Sequence, residues 1–281
     1  MLNEPISFLN QFAETQLDEL IAQWTTACGE LVKPNPGHIA DVVMTPEIGK
    51  PIARAYEAGK HDPQDVLVRA SYQQLIGELF CQYLFMTEFL DIQIDPYTGA
   101  GEPYEDSAAM RCDVTDHRHL YFLITTEDAF GSNHSDLTGH WMGQPTGIRV
   151  QGYDLLVNDI FRAVHDLFGH AIPGTSFSAT GEERAWFCHS QMFSPLARSA
   201  LTTETRGQNT WVNFGPHMLD DAGNVRSEED PGWLPPRDRP FADQKNMILP
   251  EDISGVRVYQ DQTGTVQAVA QSAIHGRPEF A

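Results

Sequence analysis

His165 and His170 lie five residues apart in the segment Asn158-Asp-Ile-Phe-Arg-Ala-Val-His-Asp-Leu-Phe-Gly-His170. Imidazole is the commonest metal-binding side chain, so the geometry of this pair is the first question. On a regular helix five residues turn through about 140°, and the two rings diverge. They converge on one ion only where the helix ends or distorts between them, and Gly169 permits that. Ala171-Ile-Pro-Gly174 follows, and the proline stops the helix. His165 then sits in the last turn and His170 at its end, on a metal-facing edge. The competing reading is capping alone, because a histidine charge suits a helix C-terminus.

Two histidines and one carboxylate make a facial triad that leaves coordination positions open for oxygen and substrate. The candidate carboxylates are Glu182, Glu183 and Glu204. Glu182 and Glu183 begin the next helix, where acids suit the N-terminal dipole in any case. Glu204 lies at the opposite end, in Thr202-Thr-Glu-Thr-Arg-Gly207, where an acid opposes the dipole. A metal or a salt bridge to Arg206 would account for it, and the expected set is His165, His170 and Glu204. Arg206, Gln208 and Asn209, with Trp211 and Asn213, are dense in planar hydrogen-bonding groups. They suit a polar, planar or carboxylate substrate. A network satisfying buried loop backbone is the alternative. Glu182 and His189 are seven apart and share a helix face. Asp166, Glu183 and His189 are the candidates for orienting the metal ligands from behind.

The segment His165-Asp-Leu-Phe-Gly-His170-Ala-Ile-Pro resembles the iron-ligand segment of bacterial phenylalanine hydroxylases, which are pterin-dependent aromatic amino acid hydroxylases. That family's segment reads His-Asp-x-Phe-Gly-His-Val-Pro, and both of its histidines bind iron. Its third ligand is the glutamate of a Thr-Val-Glu-Phe-Gly segment on a later helix. Thr203-Glu204, with Gly207 three on, is a loose counterpart. The resemblance covers about 45 of the 281 residues. It implies Fe(II) on His165, His170 and Glu204, O2 as co-substrate and a small polar or aromatic substrate. A reduced pterin rests on the resemblance alone, since no pterin-binding segment is recognisable. Zinc or manganese suits the same donors.

Other constellations compete. His165-Asp166 resembles the adjacent pair of helical HD-type metal-dependent hydrolases, with His134 or His140 as a further ligand. The downstream aspartate of that pattern is missing, since no Asp falls between Asp166 and Asp220. His134-Ser-Asp136, His189 and Arg198 follow the ligand order of 2-oxoglutarate dioxygenases, but that pattern needs a β-jelly roll and Arg198 lies in a helical stretch. A ferritin-like di-iron site needs Glu-x-x-His, which does not occur. His117 and His119 would share a strand face, where two exposed histidines are the simpler reading. A non-enzymatic acidic helical interaction protein is the remaining class.

The elements that must hold these residues come from 281 residues, of which 41% are hydrophobic and 20% charged. That is an ordinary globular composition, long enough for a core without disulfides. The net charge of −21 repels phosphate backbones and anionic lipid heads, so neither nucleic acid nor membrane is an expected partner. No apolar run reaches membrane-span length. The opening residues lack a signal-peptide pattern, and Cys28, Cys81, Cys112 and Cys188 form no Cys-x-x-Cys pair. A cytoplasmic protein with reduced thiols is expected. Oligomeric state is not encoded in any pattern here.

Periodicity and punctuation predict helices from Ser7 or Asn10 to about Cys28, from Thr45, and from Asp62 to about Phe89. Lys33-Pro-Asn-Pro-Gly37 is a break. His119–Thr126 has strand composition. The glycine-rich stretch 127–147 is a candidate lid, with a strand at Ile148–Val150 after it. Helices are expected over Asp154–His170, over Gly181 to about Thr203, and over Phe241–Leu249. A hairpin is expected at Val256–Gln260 and Val266–Val269. The fold class is α+β, mostly helical: one domain over 1–281 with a few short strands and long ordered loops. Residues 1–91 form its helical part and 150–215 its metal-site part.

Overall fold

Helix starts in this chain are written by short polar residues and proline. Helix α1 (Pro46–Ala58) has Thr45 at its N-cap and proline at its first position. Helix α2 (Val66–Leu84) is capped by Asp65, whose carboxylate accepts from the amides of Leu67 and Val68. The expected cap, Asp62, lies one turn earlier and instead accepts from the amides of Gln64 and Asp65. The structure, a computed structural model, describes residues 19, 22–26, 28–29, 39–125, 139–272 and 274–276. Most of the expected N-terminal helix, the break at 33–37, the stretch 127–138 of the candidate lid, His134 and Asp136 therefore lie outside the described residues.

Helix α2 is the axis of the molecule. It is apolar nearly all round and buried along most of its length, as suits a helix surrounded by other elements. It continues into a widened π turn at Phe85–Phe89. The polar side chains that α2 carries into the interior, Tyr72, Glu78 and Gln82, must find partners there. Each does, and two of those partners belong to the site described below.

Strands β1 (Gln93–Tyr97) and β2 (His119–Leu123) pair in parallel, Gln93 opposite His119 and Tyr97 opposite Leu123. Between them runs the short helix α3 (Ser107–Cys112) with a π turn at Asp113–His117. Strands β3 (Pro145–Val150) and β4 (Tyr153–Leu156) form an antiparallel pair with an irregularity between Pro145 and Arg149. The described end of the candidate lid packs inward rather than out: Trp141 and Met142 are buried.

The site helices differ from expectation at their edges. Residues 153–156 are strand β4, so helix α4 (Val157–His165) starts later than Asp154. Asp159 fastens that start by accepting from the amides of Leu156 and Thr125, each at 2.7 Å. Helix α4 passes into a π turn over Asp166–Ala171. The long helix expected from Gly181 to Thr203 is two helices, α5 (Ala179–Ser190) and α6 (Pro195–Thr202). Ser194-Pro195, an N-cap followed by proline, is the signal for that break. A π turn at Thr203–Gly207 carries α6 into α7 (Gln208–Phe214).

Residues 241–249 have no regular secondary structure and are not the expected helix. Their backbone serves other elements: the carbonyls of Asp243, Lys245 and Met247 accept from Tyr56, Tyr72 and Thr203. The chain then forms helix α8 (Glu251–Ser254) and the expected antiparallel hairpin of β5 (Val256–Gln260) and β6 (Val266–Ala270). One large cluster of buried apolar side chains reaches from Trp24 to Ile274. A smaller one lies between α1 and the 241–249 segment, around Ile52, Tyr56 and Met247. Among the described residues no helix is long and apolar enough to cross a membrane. Cys28, Cys81 and Cys188 are buried, Cys112 is exposed, and all four are free thiols.

Candidate metal centre

The π turn brings the two histidines together. Its widened loops close i→i+5 hydrogen bonds, as from the Ile172 amide to the Leu167 carbonyl at 2.9 Å and from the Thr175 amide to the His170 carbonyl at 3.1 Å. Residues five apart then stack on one face rather than diverging. The rings of His165 and His170 stand edge to face with centroids 5.1 Å apart. Gly169 contributes in a different way from that expected: it is not among the glycines with positive φ. Its role is space, since a Cβ there would lie 2.9 Å from His165 Cε1.

The carboxylate beside both rings is Glu182, in the first turn of α5. Its Oε2 is 3.4 Å from His170 Nε2 and 4.0 Å from His165 Nε2. Ligand atoms of His165, His170 and Glu182 all lie within 4.8 Å of one another. Glu204, the carboxylate favoured from sequence, is placed otherwise. Tyr72 donates to its Oε1 and Gln208 Nε2 donates to its Oε2 at 2.6 Å. It lines the same pocket, about 430 Å³ in volume, as His165, Glu182, Gln208 and Asn209. Arg162, Arg237 and Arg239 supply cationic wall, and Phe161 and Phe241 apolar wall.

The backs of the two imidazoles are also engaged. His170 Nδ1 is 3.0 Å from Thr175 Oγ1, which donates to the Gly169 carbonyl at 2.7 Å. His165 Nδ1 is 3.1 Å from His189 Nδ1, while His165 Nε2 faces Glu182. Phe161 stacks on His165 with centroids 5.7 Å apart, and Phe177 sits edge-on to His170 at 5.0 Å.

Electrostatics distinguishes the two carboxyl groups in the pocket. Burial alone would raise Glu182, but the His170 and His165 imidazoles beside it pull it down to about 2. Burial lowers His165, with His170 adding to the effect and Glu182 opposing it. For His170 burial also pulls down, yet Glu182 and Asp166 outweigh it and leave the ring above its ordinary value. Among the described residues no cation forms an ion pair with Glu204. Burial raises it to about 7, against the opposing hydrogen bonds of Tyr72 and Gln208.

Several expected site residues do other work. The Arg206 guanidinium is fully buried and consumed: it pairs with Glu183 at 2.7 Å and donates to the carbonyls of Ile253 and His275, each at 2.7 Å. It also lies over the Trp186 ring at 4.4 Å. Neither Arg206 nor Glu183 therefore faces substrate or metal ligand. Burial pulls Arg206 down to about 9. Trp211 donates its indole N–H to Glu57 and packs on His217, away from the pocket. Asp166 lines a neighbouring pocket of about 480 Å³ with Tyr104 and Phe177, and burial raises its carboxyl to about 6. Tyr72, Gln82, Thr175 and Arg162 were not found from sequence. Tyr72 and Gln82 meet their partners across 132 and 107 residues, a separation no local pattern encodes. His117 and His119 share Asp113 rather than converging with a third metal ligand.

No family model, curated protein or solved structure matches the chain.

Proposed function

We propose that this protein is a mononuclear non-heme iron(II) enzyme, a hydroxylase or related oxygenase of a small polar or aromatic substrate. One observation carries the reading: ligand atoms of two imidazoles and one carboxylate converge within 4.8 Å, and two of the three residues, His165 and Glu182, line a pocket. Two imidazoles and one carboxylate beside a cavity form a donor set that suits iron(II) and oxygen chemistry. Iron(II) held there would supply the redox electrons and the open coordination positions.

The chain's own residues supply the rest. His165, His170 and Glu182 are the ligands, in place of the set with Glu204. The pocket walls combine cationic side chains with Phe161 and Phe241, which suits a substrate with a polar or anionic end and an apolar body. Glu204, near neutrality and facing the same cavity, is able to take or give a proton. That last feature equally favours a second reading, a metal-dependent hydrolase using zinc or manganese with Glu204 as general base. The HD-type version of it draws no support, because Asp166 faces the neighbouring pocket instead of joining His165.

Metal content of untagged protein, with His165→Ala, His170→Ala and Glu182→Gln, tests the proposal. The expected result is near-stoichiometric iron in the wild type, lost from all three variants, and O2 consumption with an accepted substrate. Zinc or manganese on the same residues would favour hydrolysis. Absence of metal from the wild type would overturn both readings.

A further inference from the structure

The protons around His165 can be assigned from groups that have no choice of role. The Met192 carbonyl only accepts. It receives the Trp24 indole N–H at 3.0 Å and Gln82 Nε2 at 3.1 Å. The NH2 of the Gln82 amide therefore faces Met192, and its Oε1 faces His189 Nε2 at 2.8 Å. An amide oxygen also only accepts, so His189 carries a proton on Nε2. His189 is completely buried, and its hydrogen-bond partners are that amide oxygen and the His165 ring. A cation held there would lack a counter-charge, so the ring is neutral and Nδ1 bears its lone pair. Across 3.1 Å, His165 must then donate from Nδ1. Its own lone pair is left on Nε2, the atom that faces Glu182.

We propose that His189 and Gln82 are positioning residues that lock His165 in the tautomer whose Nε2 can ligate a metal. The proposal rests on the metal reading above. The second histidine is held by the same logic on a shorter path. Thr175 spends its one hydroxyl proton on the Gly169 carbonyl, so it can only accept from His170 Nδ1–H. The long path ends on neutral groups. A carboxylate behind a ligating histidine orients it and adds negative charge. An imidazole backed by an amide orients it without that charge. Phe161 against His165, and Phe193 against His189 at 4.9 Å, hold the ring planes.

Two readouts test this on the full-length chain. Nitrogen-15 NMR of histidine-labelled, chelator-treated protein reads the His165 tautomer directly, and the expected proton is on Nδ1. Cobalt(II) titration followed by visible absorption reads the site itself. His189→Met keeps the bulk and removes the acceptor, and should weaken cobalt binding about 10–100-fold. His189→Gln offers an amide oxygen to His165 and an N–H to Gln82, and should restore binding to within a few-fold of wild type. Gln82→Met should show a smaller loss in the same direction, and serves if His189→Met does not fold. A proton on His165 Nε2 in the wild type would overturn the proposal. So would cobalt bound equally by wild type and His189→Met, or a His189→Gln variant no better than His189→Met. Failure of the wild type to bind any cobalt would remove the metal reading and this one with it.

Discussion

Glu182 and Glu183 are neighbours in sequence with opposite fates, and the difference is geometric. Glu182 points to two imidazoles, whereas Glu183 neutralises the buried Arg206. Glu183→Gln should therefore leave metal content unchanged but cost about 3–5 kcal/mol, because it strands a buried guanidinium. Urea denaturation beside metal analysis checks both halves, and a loss of metal without loss of stability would contradict the assignment. Glu204 makes a separate prediction through pH. Its carboxyl is raised in the folded chain from 4.5 to about 7, so the folded state holds this proton more tightly than the unfolded one. Below 4.5 both states are protonated and the group costs nothing. Between 4.5 and 7 only the unfolded chain ionises, and stability falls with rising pH until the loss is complete above 7. At about 1.4 kcal/mol per unit the loss is on the order of 3 kcal/mol. Asp166 and His170 shift in the same sense, so the informative quantity is the difference between wild type and Glu204→Gln in chelator-treated protein. That difference should grow from pH 5 to pH 8 in favour of the variant. An unchanging difference would mean that Glu204 is ionised throughout. Glu204→Gln should also keep its metal, in contrast to Glu182→Gln.

At the scale of elements, the π turn after α4 decides whether the histidines meet. Gly169→Ala is a sharp probe of it. Alanine is favoured over glycine in a helix by up to about 1 kcal/mol. Here the added methyl would press on His165 Cε1 at 2.9 Å and on the Ala185 side chain at 3.3 Å. Overpacking of that kind costs about 1–3 kcal/mol and should win, with weaker metal binding as a second sign. A variant with a raised Tm and full metal content would show that the turn yields easily. The same element shows what the sequence can disclose. The pair His165 and His170, the need for a distortion between them, and the terminal hairpin are local patterns, and they are legible. The kind of distortion was not, because π and α turns use the same residue types. The choice among three glutamates was not legible either. The helix dipole argues about the end of a helix on which an acid sits, while ligation depends on which way that end points in space. The irregular run at 241–249 has the apolar content of a helix, but its apolar residues pack against α1 and its carbonyls are claimed by side chains from three other elements.

At the scale of the molecule, a net charge of −21 surrounds a site built on two imidazoles and one carboxylate. Like charges on the surface oppose compaction, and salt screens them over about 10 Å at 0.1 M. Thermal stability should therefore rise as NaCl is raised from low concentration, read by circular dichroism. A fall would mean that attractive pairs dominate the surface. The negative field also favours the approach of a divalent cation and disfavours that of an anionic substrate. The arginines in the pocket wall, Arg162, Arg237 and Arg239, offset that field locally beside Glu102, Glu182 and Glu204.

The break between α5 and α6 has a consequence for how the site comes into being. On one uninterrupted helix Glu182 and Glu204 would stand about 33 Å apart, at 1.5 Å per residue. The interruption at Ser194-Pro195 folds that length back, so both carboxyl groups reach one cavity. His165, Glu182 and Glu204 are thus gathered to the cavity from one stretch of 40 residues, and Glu102 joins them from elsewhere in the chain. The entropy of closing so short a loop is small, and local contacts of this kind form fast. Cobalt binding should return early in refolding, ahead of the slowest fluorescence phase, with the distant support of Gln82 and Tyr72 arriving afterwards.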